Sequence, residues 1–212
     1  MKIITFFFLF FCLSISAQIQ DEFFVNDVNS IELLTVNFCV DNLGKTSSVV
    51  VIPEKTSYKN QENIAQVVAY RKGIEYYPDS KLRNNCYDFI FRFINARFEN
   101  KKLEESKISK CKEFKKGIFK YNDGAYSDII IERDEKFQVE KNQSGFSKYK
   151  IDWINDTNYV LTYLEASDKN LEYLIGEKMY VEIIEILEDG SYVYKSNLLD
   201  RTRITGIIKR IN

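Results

Sequence analysis

From Leu34 to Val40 apolar and polar positions alternate, with Leu34, Val36, Phe38 and Val40 on one side and Thr35, Asn37 and Cys39 on the other. That is the period of a half-buried strand. Asn42-Leu43-Gly44 follows as a turn in which Gly44 is free to take a positive φ. Ser48 to Ile52 returns as a second strand that Pro53 ends. Asn60 is placed to cap a helix. Ile64, Val67, Val68 and Arg71 then recur at helical spacing, the stem of Arg71 extending the apolar stripe, and Gly73 stands at the C-terminal cap position. Cys86 to Phe93 make a third strand, with Tyr87, Phe89, Phe91 and Phe93 on one face and Cys86, Asp88, Ile90 and Arg92 on the other. A right-handed crossover that passes over the first strand gives the order second, first, third, with antiparallel neighbours throughout. The end of the first strand then lies beside the start of the third, which makes Cys39–Cys86 the expected disulfide, on the face away from the helix. Side-chain parity alone does not fix the register, so two separate thiols on that face remain the alternative.

Beyond residue 112 the pattern changes to short strands separated by turn signals every 10 to 15 residues. The predicted strands are Lys116 to Tyr121, Tyr126 to Arg133, Phe137 to Glu140, Lys148 to Ile154, Tyr159 to Leu164, Met179 to Leu187, Tyr192 to Lys195 and Arg203 to Arg210. Asn122-Asp123-Gly124, Asn142-Gln143-Ser144-Gly145 and Asp189-Gly190 are among the turns between them. Eight such strands favour an up-and-down antiparallel barrel or a strongly curved sheet. A closed barrel of this size leaves an interior for side chains or one small ligand.

The fold class is therefore α+β: an N-terminal ββαβ domain over residues 18–98, then an all-β antiparallel meander or small lipocalin-like barrel over 113–212. A charged linker or short helix, 99–112, joins them. The first 17 residues read differently. Lys2 is followed by an apolar run from Ile3 to Leu13 and by Ser14-Ile15-Ser16-Ala17, the layout of a secretory leader cut near Ala17. A run of 11 residues is well short of the roughly 20 needed to span a bilayer. An exported protein, periplasmic or secreted, with no integral membrane segment after processing is expected. Cys12 follows the bulky Phe11, which argues against a lipoprotein anchor. Cys39, Cys86 and Cys111 remain, an odd count that suggests one disulfide and one further thiol.

Composition narrows the chemistry. The 212 residues contain no histidine, which removes the commonest general base and the usual zinc and haem ligands. No GxxxxGK[ST] or GxGxxG phosphate cradle occurs. Asp152, Asp156 and Asp189 invite calcium, but no D-x-D-x-D-G loop contains them. Neither a metal nor another cofactor is expected, and the reading is of a protein that is not an enzyme. Without Lys2, 29 basic residues face 31 acidic ones. Their interspersion gives no nucleic-acid footprint: the seven lysines from Lys101 to Lys116 alternate with Glu104, Glu105 and Glu113.

Two resemblances add expectations. The segments VNFCVDNLGKTSSVVVI (Val36 to Ile52), GIEYYP (Gly73 to Pro78) and FRFIN (Phe91 to Asn95) make the first half resemble the C-terminal domain of TonB, the energy-coupling protein of Gram-negative envelopes. The second half is similar to a small exported domain that often carries the automatic name "DNA topoisomerase IV". That similarity rests on CKEFKKGIFKY (Cys111 to Tyr121), IIIER (Ile129 to Arg133), FQVE (Phe137 to Glu140), WINDTNYVL (Trp153 to Leu161) and IGEKMYVEI (Ile175 to Ile183). The TonB resemblance implies capture of an extended peptide by strand addition on the edge formed by Asp88, Ile90, Arg92 and Ile94. An envelope protein or peptide is then the expected partner. The alternative is a small apolar or amphipathic ligand inside the barrel, where Arg133, Glu140, Trp153 and Tyr159 are the candidate contacts. For both sets a structural use is open: the aromatic strand packing on the second half, and the barrel aromatics, with Tyr149, Tyr163, Tyr192 and Tyr194, forming core.

Overall fold

Helix α1 (Gln61–Lys72) covers one face of a sheet made from β1 (Gln20–Val25), β2 (Ile31–Val40), β3 (Thr46–Val51) and β4 (Asn85–Asn95). In the computed structural model, residues 20–122, 124, 126–198 and 202–212 are described. The leader expected over 1–17, with Cys12, and Asp123 of the first barrel turn lie outside the described residues. The sheet order is β1-β4-β2-β3. Its inner part is the arrangement the connection rule predicts, with β2 antiparallel to both β3 and β4 and Cys39 directly opposite Cys86. The two cysteines form a disulfide across a Cα separation of 4.0 Å.

Local chemistry explains these elements. The Asn60 side chain accepts hydrogen bonds from the N–H groups of Glu62 and Asn63 and starts α1. Ile64 and Val67 pack on Leu34, Val36, Phe38, Phe89, Phe91 and Phe93. Gly44 takes φ +85°, and a Cβ there would lie 2.4 Å from the Tyr76 carbonyl oxygen, so only glycine fits the turn. Gly73 ends α1 at φ −80°, a right-handed conformation that makes no use of glycine's freedom.

β1 is the element that the sequence pattern misses. QDEFFV does not alternate, yet it lies parallel to β4 with Gln20 opposite Ile90 and Val25 opposite Asn95. Phe23 stacks on Phe93 with ring centroids 5.5 Å apart. The β4 edge expected to be free at Ile90, Arg92 and Ile94 is therefore already occupied by the chain itself.

The second unit is a closed barrel of β5 (Gly117–Tyr121), β6 (Ile130–Arg133), β7 (Phe137–Asn142), β8 (Gly145–Trp153), β9 (Asn158–Ala166), β10 (Lys178–Ile186), β11 (Tyr192–Leu198) and β12 (Thr202–Arg210). Each strand is antiparallel to the next, and β12 pairs back to β5. A 3-10 helix over Glu105–Phe114 delivers the buried Cys111 and Phe114 to the barrel core. The outer wall meets the sheet face away from α1: Ile184, Val193 and Ile207 pack with Phe24, Ile31, Ile94 and Phe98. Within that joint the Glu22 carboxylate accepts from the Thr205 N–H at 2.6 Å and the Thr205 hydroxyl at 3.1 Å, and lies 3.5 Å from Arg92 Nε. Arg92 donates in turn to the Thr205 carbonyl at 2.6 Å.

Candidate functional site

The strand predicted to capture a peptide divides into two parts. Asp88 is exposed and accepts hydrogen bonds from Asn37 at 2.9 Å and Lys55 at 2.8 Å. Ile90, Arg92 and Ile94 pair with Gln20, Glu22 and Phe24, and Arg92 is completely buried against the barrel. The reason is hydrophobic: Phe23 and Phe24, on opposite faces of β1, fill the aromatic core and the inter-unit joint respectively. Among the described residues the outermost strand on this side of the sheet is β1, not β4.

Along β1 runs a hollow of about 780 Å³, lined by Asp21 to Val25, by Asn63, Gln66, Val67 and Tyr70 of α1, and by Phe93. It exists because α1 packs chiefly over β3 and β2 and leaves the β1 side of the sheet uncovered. Consecutive β1 residues border it, so both faces of the strand and the backbone edge between them are within its reach. Beyond its Asp21 end lies Arg71, with its guanidinium carbon 3.7 Å from the Phe38 ring centroid and 4.4 Å from that of Phe89. Among the described residues no carboxylate pairs with Arg71, and its buried Nε has no hydrogen-bond partner. The two ring faces flank the guanidinium; burial works against its charge, which Tyr76 and Asp21 favour.

Inside the barrel, Arg133 and Tyr159 belong to one network. Arg133 Nε donates to Gln138 Oε1 at 2.9 Å and one terminal nitrogen to the Phe114 carbonyl at 2.7 Å. The other donates to the hydroxyls of Tyr159 and Tyr192, each at 3.2 Å. Burial opposes its charge, but the two tyrosine oxygens outweigh that and hold the guanidinium protonated. Glu140, on the neighbouring strand, does not touch Arg133. Gln138 stands between them and donates to Glu140 Oε1 at 2.6 Å. Desolvation lifts the Glu140 carboxyl above its usual range, against the hydrogen bonds from Tyr121 and Gln138. The Trp153 ring lies 4.6 Å from that of Tyr159. Tyr149, Tyr159, Tyr163 and Tyr192 are buried with Phe119, Ile151, Leu161 and Ile183 in one continuous cluster, so the aromatics singled out in the sequence are packed core.

Cys111 is a free, fully buried thiol, pushed up to about 11 by burial and by Asp156. Among the described residues no group of three or more acidic or cysteine side chains is placed to hold a metal ion, and no helix is long and apolar enough to cross a membrane. Gln138, Tyr121 and the whole of β1 were missed by sequence reasoning. Gln138 was legible only through its inward parity with Glu140, and β1 only through its Phe-Phe-Val run. No protein-family model, curated protein or solved structure matches the chain. What its own geometry defines is an eight-stranded up-and-down barrel joined to a four-stranded sheet with one covering helix.

Proposed function

We propose that this is an exported, noncatalytic binding protein of the bacterial envelope that takes up an extended peptide as a further strand on β1. The observation that carries this reading is the long hollow between the outer edge of β1 and the flank of α1. In strand addition, main-chain hydrogen bonds supply affinity and pockets for alternate side chains supply specificity. A strand laid on β1 sends every second side chain toward Val67, Tyr70 and Phe93, an apolar surface suited to aliphatic or aromatic residues. The resemblance of this half to the TonB C-terminal domain supports the same mode of recognition, moved outward by one strand because β1 covers β4. The absence of histidine from the sequence supports recognition without chemical transformation.

The test is selection of extended peptides from a displayed library on the mature protein, followed by hydrogen exchange. Selected peptides should slow exchange at the amides of Asp21 to Val25. Tyr70→Asp, at an exposed position, should weaken them by about tenfold or more, equivalent to about 1.4 kcal/mol. Binders that leave β1 exchange unchanged, or a library that yields no saturable binder, would remove this reading.

A further inference from the structure

At the end of the barrel away from Phe114 a hollow of about 210 Å³ is lined by Glu140, Phe146, Ser147, Ser167, Asp168 and Leu171, among others. Glu140 points into it from β7. Its Oε1 accepts from the Tyr121 hydroxyl at 2.9 Å and from the Gln138 amide at 2.6 Å, while no described residue donates to Oε2. Among the described residues no cation forms an ion pair with the carboxylate, and Arg133 acts on it only at a distance, through its charge. Arg133 is engaged on the far side of Gln138, and Lys141, though at the rim, turns outward to Glu132 at 2.6 Å. Asp168 adds a second negative charge, its Oδ1 accepting from the Asn170 N–H at 2.8 Å. Ser147 is bonded to the Tyr163 hydroxyl at 2.8 Å. The hollow is thus a small, net-negative mouth with one desolvated carboxylate at its base and apolar Phe146 and Leu171 on its walls.

We propose that this mouth binds a small organic ammonium ion, with its N–H groups on Glu140 Oε2 and its hydrocarbon body against Phe146 and Leu171. A primary ammonium supplies a donor to Oε2 and a positive charge in direct contact with the carboxylate, and charge-assisted hydrogen bonds of this kind are the strong ones. The volume suits one amine with a short alkyl or aromatic body and excludes a peptide strand. The site is separate from β1 and does not depend on the peptide reading.

The probes are n-butylammonium and tyramine, with n-butanol as the uncharged counterpart of the first, titrated into the mature protein and followed by amide NMR. Both amines should shift the amides of Asn142 to Ser147 and of Ser167 saturably, at affinities about tenfold or more above that of n-butanol. Glu140→Gln keeps an acceptor for Tyr121 and Gln138, removes the charge and puts an N–H donor where Oε2 stood. Phe146→Lys, at the exposed rim, supplies a rival cation. Each variant should retain the wild-type circular dichroism and lose amine binding by about tenfold or more. Equal binding of n-butanol, full affinity in folded Glu140→Gln, or no saturable shift with either amine would overturn the proposal.

Discussion

Asp189 shows how one side chain sets a turn and a pH limit together. In the β10–β11 turn its Oδ1 accepts from the N–H and hydroxyl of Ser191, and its Oδ2 from Lys209 Nζ at 2.9 Å. These bonds, Ser191's foremost, hold the carboxyl at about 2 against an ordinary 3.8. A lowered carboxyl stabilises the fold fully above its unfolded value, and that stabilisation disappears as pH falls through the folded one. Asp189→Asn should therefore be less stable than the wild type at neutral pH and show a flatter loss between about pH 4 and pH 2. Thermal unfolding across that range is the measurement, and parallel acid limbs would contradict it. Arg133 illustrates the opposite economy. A buried cation is tolerated there because Gln138, Phe114, Tyr159 and Tyr192 all accept from it.

At the scale of elements, β1 and the disulfide both serve β4. Left bare, the stretch from Ile90 to Asn95 would present unpaired main-chain groups beside a row of aromatic residues, an aggregation hazard. β1 covers it and passes a shorter, partly acidic edge to solvent. The Cys39–Cys86 bond fastens β2 to the other side of β4, closing a chain separation of 47 residues. Replacing both cysteines by serine should cost about 2–4 kcal/mol in denaturant unfolding without altering the barrel. A loss below about 1 kcal/mol would mean that aromatic packing around Phe89 and Phe91 already restrains the unfolded chain.

For the whole molecule the decisive contact is the joint between sheet and barrel. Glu22, Arg92 and Thr205 form a buried polar clasp surrounded by Phe24, Ile94, Ile184, Val193 and Ile207. Burial raises the Glu22 carboxyl, and the hydrogen bonds from Thr205 and the charge of Arg92 pull it back. Arg92→Met would leave that carboxylate desolvated without its cation, a loss of about 3–5 kcal/mol. Because the joint is shared, the unfolding midpoint seen by Trp153, the single tryptophan and a barrel residue, should fall although the substitution lies in the sheet. An unchanged Trp153 transition would show that the two units unfold independently.

The sequence by itself determined the elements whose residues carry a period: β2, β3, α1, β4 and the eight barrel strands. It made the order β3-β2-β4 and the Cys39–Cys86 pair expectations, and the register that places the two cysteines opposite each other came from the tertiary structure. Alternation is a local property, written wherever one face of a strand is buried and the other is not. β1 escaped because both of its faces are buried in part, Phe23 beneath the helix side and Phe24 against the barrel, which erases the alternation. Only the tertiary structure decided that Arg92 is a joint residue, that Gln138 separates Arg133 from Glu140, and that the free edge belongs to β1. The first and last depend on segments far apart in the chain meeting in space, Arg92 with Thr205 and β1 with β4. The second depends on side-chain directions within one hairpin, which alternation does not encode.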